Sequence, residues 1–287
     1  MEHHKSTEEF LAAIQYTVAT TGFRAELIEK DYFCSLVLSS LYDKNTCPLI
    51  FKGGTLLAKV YGDFYRLSED LDFTYDMPLK TTRNERREVS LIIKKIYHQI
   101  GEKTDGINIA MDLKGSDESK QYNGELTYIS QVANGQGTIK FEVSLKDTLL
   151  AKPSKQKAQT LVLNPFTGEK LADLFPILCY AKKEAYAEKI RAAFCRQQPA
   201  IRDFYDISYA IDKNIITLQD DAFIKIVRSK IKAQAKNFKL LTNEKIQLLQ
   251  AQLLPDLFPT LRSNDYNAFD LSKVLQQLQE FSALAFA

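Results

Sequence analysis

The constraint that weighs most on this chain is a pair of adjacent glycines set between an apolar run and a helix start. Cys47-Pro48-Leu49-Ile50-Phe51 reads as a short buried strand. Lys52-Gly53-Gly54-Thr55 follows, and Leu56 to Val60 then begin a helix. Lacking a Cβ, both glycines let the backbone turn sharply and approach a ligand closely. Thr55 is in place to cap the helix. A helix N-terminus behind such a turn presents free N–H groups and the positive end of a dipole, which suits phosphate. Downstream, the alternation in Asp70-Leu71-Asp72-Phe73-Thr74-Tyr75 predicts a strand with Asp70 and Asp72 on one face and Leu71 and Phe73 in the core. Two carboxylates so spaced can share hard divalent cations such as Mg²⁺. A phosphate cradle beside metal-binding carboxylates points to phosphoryl or nucleotidyl transfer.

Bulk properties narrow the alternatives. At 287 residues the chain can form one large domain or two modest ones. A net charge of +2 does not by itself indicate a nucleic-acid partner. No apolar run approaches the roughly 18 residues of a membrane span. Met1 to Ser6 lacks the apolar stretch of a secretory signal, so a cytoplasmic location is expected. Cys34, Cys47, Cys179 and Cys195 show no CxxC spacing, and His3, His4 and His98 no ligand-like pattern; free thiols are expected rather than a zinc site.

Along the chain, helices are expected near residues 7–20, from Arg24 through Leu41, and over 80–103. The last is amphipathic, with Lys80, Arg83, Arg86, Arg87, Lys94, Lys95 and Lys103 read as a solvated face. Alternating segments near Ile107–Leu113, Leu126–Val132 and Thr138–Leu145 predict strands, with hairpin signals at Gly115-Ser116, Asn123-Gly124 and Asn134 to Gly137. In Ile139 to Leu145 the apolar residues take one face and Lys140, Glu142 and Ser144 the other. Residues 151–170 read as a linker, beyond which the chain looks helical. Lys182, Lys189 and Arg196 form a stripe on one helix. Pro199 is expected to open the next helix, where Arg202 can pair with Asp206 at i,i+4. The run with Lys225, Arg228, Lys230, Lys232, Lys236, Lys239 and Lys245 against only Glu244 is the best candidate for an RNA-backbone contact. Val274 to Leu278 and Phe281 look like a closing core helix.

Two blocks carry a family resemblance. Lys52-Gly53-Gly54-Thr55 followed by Arg66-Leu67-Ser68-Glu69-Asp70-Leu71-Asp72 resembles the first motif of the AbiEii/AbiGii-type nucleotidyltransferase toxins, members of the DNA-polymerase-β-like superfamily. Glu29-Lys30-Asp31-Tyr32 resembles the stretch that precedes it, which makes Lys30 and Asp31 candidates for the active-site rim. Glu184, Glu188-Lys189 and Arg202-Asp203-Phe204-Tyr205-Asp206 resemble the family's second block.

The resemblance implies an α/β (α+β) fold: a small mixed sheet flanked by helices over residues 1–155, and a helical C-terminal lobe over 156–287 completing the active-site cleft. It implies a metal-dependent nucleotidyltransferase that is the toxin of a toxin–antitoxin or abortive-infection pair, with a cognate antitoxin as partner. Asp70, Asp72 and Glu142 would hold Mg²⁺ or Mn²⁺. Lys52, Gly53, Gly54, Thr55, Arg66, Ser68, Lys189 and Arg202 would bind the NTP. Lys189 and either Asp203 or Asp206 would complete the catalytic group with Asp70 and Asp72. The acceptor is a tRNA 3′ end on the favoured reading. A protein hydroxyl, or a non-catalytic NTP-binding module, are the alternatives.

Overall fold

The structure is a computed structural model describing residues 2–43, 46–78, 80–234 and 242–286. It divides into two units, Met1–Leu149 with Pro153–Tyr180, and Leu150–Lys152 with Ala181–Ala287.

The first unit is α+β. Two helices, α1 (Thr7–Thr21) and α2 (Ala25–Tyr42), precede β1 (Leu49–Lys52). The glycine pair opens the short α3 (Gly53–Leu56), which continues as a π-helical turn over Leu57–Tyr61. Then come β2 (Leu71–Tyr75), α4 (Arg83–Lys103), β3 (Asn108–Ser116), β4 (Gln121–Ile129), β5 (Gln136–Ser144), β6 (Ser154–Ala158) and β7 (Phe175–Cys179). The strands form one mixed sheet in the order β3-β4-β5-β2-β1-β7-β6. β2 runs parallel to β5 and β1 parallel to β7, while the other neighbours are antiparallel.

Alternation puts Phe51, Phe73 and Phe141 on one face, all fully buried. Their rings form a row 5.4 Å and 4.7 Å apart, closed by Tyr97 of α4 at 5.2 Å from Phe141. The start of α4 is set by a capping box in which Thr82 and Glu85 satisfy each other's backbone N–H groups. The cysteines are free thiols, with Cys34 and Cys179 buried.

Four local expectations are corrected. Asn123-Gly124 is not a turn but lies inside β4. A Cβ on Gly124 would stand 2.8 Å from the Tyr97 hydroxyl, so the glycine serves packing against α4. The real β3–β4 turn is Asp117-Glu118-Ser119, all at positive φ. The helical C-terminal region expected from residue 156 begins at Ala181, because β6 and β7 join the sheet and keep residues 153–180 with the first unit. β6 gave no strand signal because it is an edge strand with exposed Lys155 and Lys157, the composition that blunts an open edge. Pro199 lies outside α6 (Ile201–Asp212), whose N-cap is Ala200; its carbonyl accepts from Gln252 Nε2 at 2.9 Å.

The second unit is helical: α5 (Lys182–Cys195), α6, α7 (Asp221–Gln234), α8 (Asn243–Ala251), α9 (Ser263–Ala268) and α10 (Leu271–Phe286). Val274, Leu278 and Phe281 are buried, as expected of a core helix. Glu184, fully buried, ties the Leu150–Lys152 segment of this unit to α5: its carboxylate accepts from the N–H groups of Leu150 and Ala151 at 3.0 and 2.9 Å.

Candidate active site

The glycine turn and the acidic strand are built against each other. Gly53 has φ +81°, and a Cβ there would lie 2.1 Å from Asp72 Oδ2 and 2.9 Å from its Cβ. A Cβ on Gly54 would lie 2.4 Å from Arg66 Nη2 and 3.0 Å from Ser68 Oγ. The two glycines therefore make room for the side chains of Asp72, Arg66 and Ser68, which explains physically why the halves of the motif occur together. Thr55 is not the helix cap, since Lys52 holds that position. Its buried hydroxyl instead donates to the Asp70 carbonyl at 2.5 Å, fixing the backbone just ahead of β2.

Register then aligns a row of polar side chains across the sheet. Lys52 of β1 stands opposite Asp72 of β2, and Asp72 opposite Glu142 of β5. These residues lie on the face away from the buried phenylalanines, and all three are half-buried. Asp70, also half-buried, immediately precedes β2. Burial raises the Glu142 carboxyl above its ordinary range, and the nearby charges of Asp72 and Asp70 push it further the same way. Lys52 Nζ pairs with Asp147 Oδ2 at 2.8 Å. Asp147 went unnoticed in the sequence, where one acid after a strand carries no distinguishing pattern.

Arg66 is buried and donates to the Leu67 carbonyl at 3.0 Å. Lys30 Nζ pairs with Glu69 Oε2 at 2.8 Å, next to Asp70. Asp31, expected at a rim, is buried. Lys59 of the π turn reaches its Oδ1 at 2.5 Å, and the Leu161 N–H reaches Oδ2 at 2.8 Å. Ser35 Oγ accepts from the same ammonium at 2.6 Å. Glu29 is equally buried, accepting from Ser130 Oγ and the Gln131 N–H, both at 2.6 Å. The Glu29 to Tyr32 stretch is therefore internal scaffolding, with Lys30 its member beside the acidic strand.

In the second unit, Lys189 Nζ bridges Asp203 at 2.8 Å and Asp206 at 2.9 Å, and Arg196 reaches the other oxygen of Asp203 at 2.7 Å. Both acids are buried. They thus pair with α5 rather than with Arg202, which is half-buried on α6. The basic run is corrected as well. Lys230 is buried and pairs with Glu184 at 2.7 Å, so its ammonium has no path to a phosphate. Arg228 donates to the Ala285 carbonyl, while Lys225 and Lys232 are exposed. Lys236 and Lys239 lie outside the described residues.

No helix of the described residues is long and apolar enough to cross a membrane. No curated protein matches the chain. The fold is similar to the crystal structure of JHP933 from Helicobacter pylori, with TM-score 0.55 and 15% identity over 92% of this chain and 93% of that one. It is also similar to an H. pylori protein described as a nucleotidyltransferase, with TM-score 0.52 and 16% identity over 89% and 92% of the two chains. The family "Nucleotidyl transferase AbiEii toxin, Type IV TA system" matches residues 38–284. With both motif blocks inside that span, the chain belongs to the AbiEii nucleotidyltransferase toxin family of type IV toxin–antitoxin systems.

Proposed function

We propose that this protein transfers a nucleotide from an NTP to the 3′ end of tRNA, and so blocks translation. The observation that supports it most is the row Lys52–Asp72–Glu142 alongside the glycine turn. Asp72 and Glu142 supply negative charge on one sheet face, Asp70 adds to it from just ahead of β2, and Gly53 and Gly54 bring backbone N–H groups beside it. Among the described residues no three His, Cys, Asp or Glu side chains form a ready-made metal cage. Mg²⁺ needs none, because one or two carboxylates commonly share it with phosphate oxygens and water. Burial, and after it the charges of Asp72 and Asp70, raise the Glu142 carboxyl, and a cation there would offset that gathered charge.

In this reading Asp70, Asp72 and Glu142 would hold Mg²⁺ or Mn²⁺, a cation that would offset phosphate charge and acidify the acceptor hydroxyl. Gly53, Gly54 and Lys52 orient the triphosphate. Thr55 acts through the Asp70 backbone, and Arg66 and Ser68 brace Gly54. Lys189 serves nucleotide phosphate, with Asp203 and Asp206 positioning its ammonium and Arg202 beside them. The acceptor oxygen bonds to the α-phosphorus, the bond to the bridging oxygen breaks, pyrophosphate leaves with that electron pair, and the hydroxyl proton passes to solvent. The cell's own cytoplasmic tRNA would be the target and the cognate antitoxin the counterpart.

Incubation with labelled NTPs, total tRNA and cell extract tests this, with RNA and protein products resolved side by side. Label is expected in tRNA. Label in the protein lane alone would replace tRNA by a protein acceptor. Expression without an antitoxin is expected to slow bacterial growth, and Asp72→Asn to relieve it.

A further inference from the structure

The polar face bearing Asp72 and Glu142 continues past β5. Glu142 stands opposite Asn123 of β4, and Asn123 opposite Lys114 of β3. Gln121, two residues before Asn123 on the same face, donates from Nε2 to Glu142 Oε2 at 3.4 Å and to Asn123 Oδ1 at 3.3 Å. Both amides are half-buried, and Lys114 and Lys140 are exposed. The reverse face of the same strands is closed by buried Tyr122, Leu126, Phe141 and Val143. An amide pair flanked by two lysines thus extends directly from the carboxylate row.

The direction of the reaction gives this extension a use. In a phosphoryl transfer the attacking and leaving oxygens lie roughly in line across the phosphorus. With the triphosphate on the Gly53 and Lys52 side of Asp72, pyrophosphate leaves towards β1. The attacking hydroxyl then comes from the opposite side of the row, over β5 and β4. Resting on the proposed nucleotidyl transfer, we infer that Gln121, Asn123 and Lys114 bind the terminal nucleotide of an RNA acceptor. The two amides offer donors and acceptors that match the edge of an unstacked base, and Lys114 offers a cation to its backbone phosphate. A protein hydroxyl presents neither group, so the chemistry of this face favours RNA.

The test uses the full chain, labelled NTPs, Mg²⁺ and total bacterial tRNA. Gln121→Ala and Asn123→Ala should each raise KM for tRNA about tenfold, as expected when a base-reading contact is lost. NTP affinity by calorimetry should stay within about twofold of wild type, since neither residue lies on the phosphate side of Asp72. Lys114→Ala should reduce the slope of log affinity against log salt by about one, the signature of a lost phosphate contact. Thermal melts identify any variant that fails to fold, and Asn123→Ala, which leaves the Gln121–Glu142 contact in place, remains the informative variant if Gln121→Ala does.

Unchanged KM for tRNA in both amide variants, with wild-type turnover, would overturn the assignment and leave the nucleotidyl-transfer reading standing. Label in protein but never in tRNA would also overturn it. A wild-type protein that binds no NTP and labels neither acceptor would instead sink the nucleotidyl transfer itself, and calorimetry distinguishes that result.

Discussion

The carboxylate of Asp72 fills the space that a side chain at Gly53 would need: a Cβ there would come within 2.1 Å of Oδ2. This contact joins a turn and a strand that lie well apart in the chain. It makes the glycine a partner of the acid, with the glycine turn and the acidic row held as one piece. Gly53→Ala faces both the positive φ and the clash, so it should cost about 1–3 kcal/mol of stability and reduce transfer strongly. Denaturant melts and an initial-rate assay would check this. An alanine variant with wild-type stability and rate would show that the turn and Asp72 move independently.

Asp72→Asn separates chemistry from folding. Removing one of the like charges beside Glu142 relieves repulsion, so the melting temperature should hold or rise. Transfer should fall by at least about a hundredfold if Asp72 holds a metal. Asp70→Asn should act in the same direction. Metal-stimulated activity surviving in either variant would remove that residue from the metal site.

Lys59 and Asp31 form a buried pair between the π turn and α2. Lys59→Met alone should cost about 3–5 kcal/mol, because Asp31 is left buried without its ammonium partner. Combining it with Asp31→Leu should recover much of that loss. A double-mutant cycle by urea unfolding reads the coupling; strictly additive losses would show that the pair contributes nothing jointly.

Lys230 and Lys232 are two residues apart but should behave in opposite ways. Lys230→Ala strands the buried Glu184 carboxylate and should destabilise by about 3–5 kcal/mol. Lys225→Ala and Lys232→Ala should stay within about 0.5 kcal/mol of wild type. If the exposed pair contacts RNA, those two variants should flatten the salt dependence of tRNA binding while NTP affinity is kept. Equal stability for all three would place Lys230 on the surface.

Lys189→Ala leaves Asp203 and Asp206 buried around a lost cation. It should weaken both NTP binding and stability, whereas Lys189→Arg keeps the charge and should restore stability. The informative outcome is Lys189→Arg folded as wild type: normal NTP affinity and rate there would show that any cation serves, and normal values in Lys189→Ala would reduce Lys189 to a structural residue.

Local patterns made much of this protein legible. Alternation in Leu71-Asp72-Phe73 and in Ile139 to Leu145 marked strands with a wet and a dry face. Those strands are present, and the register between them sets Glu142 opposite Asp72. The glycine pair, the amphipathic α4 and the core face of α10 were equally readable, because each depends on neighbours within a turn or two. Charges were read poorly. Asp31 was expected at an active-site rim and Lys230 at an RNA backbone, and nothing in the sequence singled out Lys59 as internal, yet these charges, with Glu29 and Glu184, are all buried. Their partners are supplied by elements distant in the chain, 28 residues away for Lys59 and Asp31. β6 was missed for a related reason: its polar composition makes sense only once it lies at a sheet edge beside β7. The sequence by itself determined the helices and the strands β1 to β5, since side-chain periodicity is a property of the local backbone, but not β6 and β7, nor which acids would meet across the sheet. Tertiary structure alone decided which charges would be desolvated and which would stay wet, since burial depends on what the rest of the chain packs against them.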